Sequence, residues 1–131
     1  MIFKICGIKN INIINCFEKN KVNYFGMIFY KKSPRNISID HAIKLCQFSR
    51  DLNIKPIGVF VNKKLNELFN IISKLDLKTI QLHGSETQEY IDNIKNKFNI
   101  KIIKKISIEK KKYYLNIKNI NNIDYLLFDY K

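Results

Sequence analysis

Cysteine, histidine, tryptophan, glycine and proline are all scarce in this 131-residue sequence. It has no tryptophan, and it has only three cysteines, two histidines, four glycines and two prolines. Cys6, Cys16 and Cys46 are odd in number and widely spaced, which argues against a disulfide framework and against a zinc site. Neither histidine has a metal-ligand partner at a suitable spacing. We therefore expect reduced thiols, a cytoplasmic location and no bound metal.

Long apolar runs and segment boundaries are also lacking. No apolar run approaches the roughly 20 residues of a membrane span, and the first residues lack the regions of a signal peptide. No Pro- or Gly-rich linker divides the chain, and 46% of its residues are hydrophobic. The sequence therefore predicts one globular domain over residues 1–131, with no membrane partner.

Acidic residues are outnumbered by basic ones, 11 against 24, which gives a net charge of +13. Such a charge raises nucleic acid as a partner. However, nearly half of the chain is Ile, Asn or Lys, whose codons are rich in A and T. The lysines are scattered, and their densest cluster, at 110–112, has no interleaved aromatic platform. We assign them to solvated helix faces and predict no nucleic-acid partner.

Six short apolar runs recur along the chain. They begin near Ile2, Tyr24, Ile57, Thr79, Lys101 and Asp124. The segments between them have helical periodicity, and a strand plus a helix about every 22 residues is typical of a repeating βα unit with parallel strands. The first run is predicted to be a short buried strand. The fifth, weakened by Lys104 and Lys105, is placed largely by its spacing.

Helix starts support this scheme. Ser38 and Asp40 are both candidate N-caps for the second helix. Asn62 precedes the third helix, and Ser85 with Glu86 is predicted to open the fourth.

Polar residues with useful chemistry collect where the strands end. Cys6, Asn62, His83 and Asp129 follow or close four of the runs, and Arg35 lies in the only long βα loop. In parallel α/β proteins, ligands bind at this edge. Each residue alone could be an N-cap or a loop residue, and Cys6 could be a small core hydrophobe. Lys4 is expected to point away from the Cys6 thiol.

Four motifs in order carry a family resemblance. They are Lys4–Ile8, Gly26–Tyr30 with Ser33–Arg35, Gly58–Asn62, and Gln81–Gly84. Together they resemble phosphoribosylanthranilate isomerases over residues 2–129. This resemblance implies the α/β class and a (βα)8 TIM-barrel-type fold, here incomplete, with about six parallel strands and five helices.

The resemblance also implies a reaction and a set of site residues. The reaction is the Amadori rearrangement of N-(5-phosphoribosyl)anthranilate in tryptophan biosynthesis, and it needs no cofactor. Cys6 would be the general base and Asp129 the general acid. Arg35 would anchor the anthranilate carboxylate, and His83 and Asn62 would line the pocket of this small phosphorylated substrate.

The sequence departs from the family beyond Asp129. A full barrel of this kind runs to roughly 250 residues and holds phosphate in loops after its seventh and eighth strands. We expect those units to be missing, so that open sheet edges would favour self-association or a complementing chain. The alternatives to a working isomerase are a degenerate non-catalytic remnant or one half of a split barrel.

Overall fold

The computed structural model describes residues 1–108 and 120–130, in which strands and helices alternate as far as β5. The elements are β1 (Lys4–Cys6), α1 (Ile11–Lys19), β2 (Tyr24–Ile28), α2 (Ile39–Asp51), β3 (Lys55–Phe60), α3 (Leu65–Leu75), β4 (Thr79–Leu82), α4 (Gln88–Lys97), β5 (Lys101–Ile108) and β6 (Tyr125–Tyr130). A fifth helix, expected between β5 and β6, would lie at 109–119, outside the described residues. None of the helices in the described part has the length and apolar content needed to cross a membrane.

The six strands form one parallel sheet in the order β1-β2-β3-β4-β5-β6. The predicted parallel βα repeat is therefore confirmed. In a flat sheet, three strand spacings would separate β1 from β4 by about 14 Å. Yet the Lys4 ammonium on β1 lies 2.7 Å from the side-chain oxygen of Gln81 on β4. The sheet is thus curled into part of a barrel with a concave inner face.

The hydrophobic core lies between the convex face of the sheet and the helices. Its strand residues include Phe25, Met27, Ile80, Leu82 and Ile102, all fully buried. On α3, the buried residues recur at the three- and four-residue intervals of one helix face: Leu68, Ile71, Ile72 and Leu75. This packing places the helices outside the sheet, and the concave face carries both polar side chains and apolar ones such as Ile57 and Val59.

The first strand differs from its prediction as a buried element. Ile5 is 41% exposed and Phe3 is 46% exposed. Among residues 1–108 and 120–130, β1 pairs only with β2, so its outer side has no neighbouring strand. An apolar sequence predicted burial, but the position of β1 at a sheet edge leaves these side chains open to solvent.

The predicted helix starts are confirmed in part. Ser38 caps α2, where its hydroxyl accepts the backbone N–H of His41 at 3.3 Å. Lys64 precedes α3 without a side-chain cap, and Thr87 caps α4. Asn62 therefore precedes α3 as predicted but does not cap it, and the prediction that Ser85 with Glu86 opens α4 is wrong, since Thr87 is the cap.

Candidate active site

The concave face gathers side chains from strands that are distant in the chain. Because side chains alternate across a strand, Lys4 and Cys6 of β1 share a face, as do Gln81 and His83 at β4. Lys4 contacts Gln81, and the His83 ring lies against Asp129 of β6. Cys6, His83 and Asp129 therefore occupy the same face, at the carboxyl ends of β1, β4 and β6.

The position of the Cys6 thiol depends on a glycine in the neighbouring strand. A Cβ added at Gly26 would lie 2.8 Å from the Cys6 sulfur and 3.3 Å from a methyl group of Val59. A side chain at Gly26 would thus take the space that the thiol occupies. Glycine here leaves the sulfur room on the concave face.

Arg35 reaches back from the β2–α2 loop to the end of β1. Its Nη1 donates a hydrogen bond to the Cys6 carbonyl oxygen at 3.1 Å. Gly7, with a φ of +83°, lets this side chain lie directly over the backbone, since an added Cβ would meet the Arg35 side chain at 2.6 Å. The guanidinium has further donors and lies at the mouth beside Cys6, where it can meet an anionic ligand.

His83 and Asp129 form a half-exposed pair opposite Cys6. His83 Nε2 is 3.5 Å from Asp129 Oδ2, and the two side chains are 34% and 44% exposed. Burial lowers the pKa of His83 below its usual 6.5, and the positive charge of Lys105 and, less strongly, Lys4 lowers it further against the opposing effect of Asp129. The imidazole is therefore neutral at physiological pH.

Asn62 makes hydrogen bonds that connect two loops at the edge of the site. Its backbone has a left-handed φ of 47°, and its side-chain oxygen accepts the N–H of Ser85 at 2.9 Å. Its own backbone N–H donates to Glu86 Oε1 at 2.9 Å. Asn62 thereby ties the β3–α3 loop to the β4–α4 loop, and its predicted contact with substrate stays a prediction.

A buried ion pair between Lys104 and Glu86 supports the same two loops. Lys104 Nζ lies 2.6 Å from Glu86 Oε2 and donates to the Gly84 carbonyl at 2.8 Å. The other oxygen of Glu86 accepts from the backbone of Asn62 and of Gly84. The side chains of Lys104 and Glu86 are only 5% and 1% exposed. This carboxylate cage fixes the backbone of Gly84, which directly follows His83, and that of Asn62 in the neighbouring loop.

Sequence reasoning missed four residues of this region: Lys4, Gln81, Glu86 and Lys104. The expected orientation of Lys4, away from the thiol, is wrong, because β1 is regular and Lys4 lies on the concave face with Cys6. Gln81 could have been found from its position two residues before His83, which puts both on one face. In the described part of the chain, no three His, Cys, Asp or Glu side chains converge as metal ligands would.

Parallel strands in sequential order, a curled sheet and polar side chains at the carboxyl ends define the class of this protein. It has the architecture of (βα)8 barrels, of which six strands are seen here. Over residues 3–131 the chain matches the model of the N-(5'-phosphoribosyl)anthranilate (PRA) isomerase family, and it belongs to that family.

Relatives and solved structures agree with this assignment. The N-(5'-phosphoribosyl)anthranilate isomerase of Clostridium acetobutylicum is 39% identical over 88 residues, which are 67% of this chain and 42% of the relative. A phosphoribosylanthranilate isomerase structure from Thermotoga maritima superposes on all of this chain with a TM-score of 0.86 and 28% identity. This chain covers 62% of that structure.

A second solved isomerase structure holds a ligand. It was crystallised with reduced 1-(o-carboxyphenylamino)-1-deoxyribulose 5-phosphate and superposes with a TM-score of 0.83 and 28% identity. The match covers 100% of this chain and 66% of that one. The predicted family and the predicted barrel-type fold are confirmed, and this chain spans less than two thirds of the length of these relatives.

Proposed function

We propose that this chain carries phosphoribosylanthranilate isomerase chemistry in the tryptophan pathway of the cytoplasm. The substrate is N-(5'-phosphoribosyl)anthranilate, and the product is 1-(2-carboxyphenylamino)-1-deoxyribulose 5-phosphate. The observation that supports this most directly is the placement of Cys6, His83 and Asp129 on one concave face, with Arg35 bonded at 3.1 Å to the carbonyl of Cys6.

The roles follow from the chemistry of the rearrangement. Asp129, as the acid, gives its proton to the ribose ring oxygen, and the C1–O bond breaks to leave an open-chain Schiff base. The Cys6 thiolate then removes the C2 proton, and the electron pair moves to form an enolamine. Tautomerisation of the enolamine gives the ketone. Each proton transfer by a positioned group contributes about 10²–10⁴-fold.

Arg35 supplies the anchor for the aromatic end of the substrate. A guanidinium fork can bind both oxygens of a planar carboxylate. Its bond to the Cys6 carbonyl fixes the fork next to the base. An anthranilate carboxylate held there would bring the ribose C2 towards the thiol. Binding of the aromatic end would thus orient the reacting carbon for proton transfer. We place His83 and Asn62 in the wall of the same pocket.

Replacement of Asp129 by asparagine tests the proposed function. The variant should retain binding of the reduced product analogue, seen as a thermal shift, because the amide keeps the size of the side chain. Turnover in a coupled assay should fall by about 10²–10⁴-fold, because the amide has no acidic proton to give. Asp40→Asn, at an exposed position in the first turn of α2, is the matched control and should keep the parental rate.

Two outcomes would contradict the proposal. One is an Asp129→Asn variant that turns over like the parent. The other is a wild-type chain that, both alone and with the complementing fragment described below, neither turns over substrate nor gains stability from the analogue at millimolar concentration, a result that would favour the non-catalytic alternative.

We further infer that the sheet edges pair with two additional βα units carried by a complementing polypeptide. Among residues 1–108 and 120–130, β1 pairs only with β2 and β6 only with β5. Apolar side chains are exposed beside β1, including Phe3 and Ile5. Unpaired edges of this kind invite strand addition, and two strands between β6 and β1 would close a ring of eight. In such barrels, the loops of those units bind phosphate.

This partner is tested by adding a fragment that carries the last two βα units of a homologous barrel. We expect a one-to-one complex in sedimentation velocity and a rise in isomerase turnover. Absence of a complex would overturn the inference. A homodimer of this chain that excludes the fragment would also overturn it, and would assign the edges to a second copy.

A further inference from the structure

Four side chains form a continuous line across the concave face, from β1 through β4 to β6. The Lys4 ammonium donates to Gln81 Oε1 at 2.7 Å. The Gln81 amide nitrogen is 2.8 Å from His83 Nδ1. His83 Nε2 in turn lies 3.5 Å from Asp129 Oδ2, an ion-pair contact that is longer than the roughly 2.7–3.2 Å of a hydrogen bond. Gln81 itself is only 2% exposed, so its amide cannot exchange these partners for water.

The chemistry of the groups leaves one arrangement of protons along this line. An ammonium group only donates hydrogen bonds, so the amide oxygen of Gln81 must face Lys4. The amide nitrogen therefore faces His83, and an NH2 group also only donates. Nδ1 of His83 must then be the acceptor. In a neutral imidazole the single proton is consequently on Nε2, which faces Asp129.

Charges around the ring favour the neutral form that this argument requires. Lys4 on β1 and Lys105 on β5 oppose a positive ring, whereas Asp129 on β6 and Glu86 in the β4–α4 loop favour one. Burial opposes it more than any single charge, so the pKa of His83 is lowered on balance. The two cations thus support the same protonation state that the hydrogen bonds select.

We propose that Lys4 and Gln81 are positioning residues that hold neutral His83 in its Nε2–H tautomer, with that N–H directed at the carboxyl group of Asp129. The tautomer follows from the contacts alone. Its catalytic consequence rests on the proposed function, in which Asp129 is the general acid.

The tautomer decides what Asp129 can do with its proton. With Nε2–H towards it, Asp129 meets a donor, so its own proton remains available to the substrate oxygen. The same N–H then stabilises the carboxylate that remains after transfer. In the opposite tautomer, the Nε2 lone pair would accept the acid's proton and hold it away from the substrate. No proton leaves His83 in this scheme.

Nitrogen NMR of ¹⁵N-histidine-labelled protein tests the proposal without any turnover. The chain has only His41 and His83, and His41, exposed in the first turn of α2, is the internal reference. In mildly alkaline buffer, we expect His83 to show an unprotonated Nδ1 and a protonated Nε2. A protonated Nδ1 in the wild-type chain, or an average of the two forms like that of a free imidazole, would overturn the proposal.

Matched variants separate the two positioning residues. In Gln81→Glu, the group facing Nδ1 becomes an acceptor of the same shape, so Nδ1 should become protonated. Lys4→Met frees the amide to turn, and both tautomers should appear. Lys4→Arg, which also only donates, should restore the wild-type spectrum. An unchanged tautomer in Gln81→Glu would overturn the role of Gln81, and an unchanged one in Lys4→Met would overturn the role of Lys4.

Kinetics then address the catalytic consequence separately. Gln81→Glu should lower kcat by about tenfold or more with little change in KM, since the tautomer matters to proton transfer rather than to binding. An Nδ1–H tautomer together with unchanged kcat in this variant would refute the link to Asp129. A wild-type chain without isomerase activity, both alone and with the complementing fragment, would refute the proposed function, while the NMR result would still decide the tautomer.

Discussion

Replacement of Cys6 by serine is expected to lower kcat by about 10²–10⁴-fold and to leave binding of the reduced product analogue nearly unchanged. Thiols as a class are far more acidic than alkyl hydroxyls, so a serine side chain offers essentially no alkoxide to act as the base. The cysteine and serine side chains are close in size, so the fall in kcat measures the loss of the base and not a change in the shape of the pocket. The measurement is a coupled isomerase assay, run on the chain alone and with the complementing fragment.

The other cysteines provide controls for this substitution. Cys16 is exposed on α1, where its thiol contacts the carbonyl of Asn12, and Cys16→Ser should keep the parental rate. Cys46 is buried, and burial raises the pKa of its thiol to about 11, which keeps its thiolate population small near neutral pH. A Cys6→Ser variant as fast as Cys16→Ser would remove Cys6 from the role of base.

Gly26 offers a second way to disturb the same thiol. A methyl group at Gly26 would lie 2.8 Å from the Cys6 sulfur and 3.2 Å from the Cys6 Cα, so the thiol must move. Gly26→Ala should therefore also lower kcat although every catalytic side chain remains present. Unchanged turnover in this variant would indicate that the position of the sulfur is not critical.

The βα repeat and the parallel strands are predictable because they depend on apolar periodicity, whereas the barrel-type fold is implied by the family resemblance. That signal survives wherever a strand is covered on its convex face, as at Phe25 and Met27 of β2. It fails at β1, whose side chains have the same apolar character but lie at a sheet edge. How deeply a strand is buried depends on the elements that pack against it, and the sequence of the strand itself does not reveal them.

The strand-end positions of the proposed reacting groups are predictable from the βα repeat, and those of the residues that support them are not. Cys6, Arg35, His83 and Asp129 stand at strand ends or in a βα loop, positions that the βα repeat assigns. Glu86, in contrast, was interpreted as a helix-start residue, since acidic residues are common there. Only the folded chain shows that its carboxylate turns inward to meet a lysine 18 residues further on.

The paired lysines of β5 illustrate the same limit. Lys104 and Lys105 weakened the strand prediction because two adjacent charges are unusual in a buried strand. Alternation sends the two side chains to opposite faces of the sheet. Lys104 enters the carboxylate cage of Glu86, and Lys105 lies on the concave face near His83. Each lysine thus has a separate reason for its position.

Replacement of Lys104, the buried lysine of this pair, is expected to have a large effect on the stability of the fold. Lys104→Met should destabilise the fold by about 3–5 kcal/mol, because it leaves the Glu86 carboxylate buried without its cation. The two backbone donors from Asn62 and Gly84 remain, but they do not neutralise the charge. Urea unfolding, with the slope held in common between variants, measures the change in the free energy of unfolding.

Lys105→Met is the matched control, since it removes the same charge from the next residue of the same strand. Lys105 is only partly buried, so its replacement should cost less than about 1 kcal/mol. The double variant Lys104→Met with Glu86→Gln should recover part of the loss, because no unpaired charge is then left inside, and the cycle gives the coupling energy of the pair. If Lys104→Met unfolds at the same urea concentration as Lys105→Met, the cage does not hold the two loops. The rigid placement of His83 between Gly84 and the end of β4 would then need another cause.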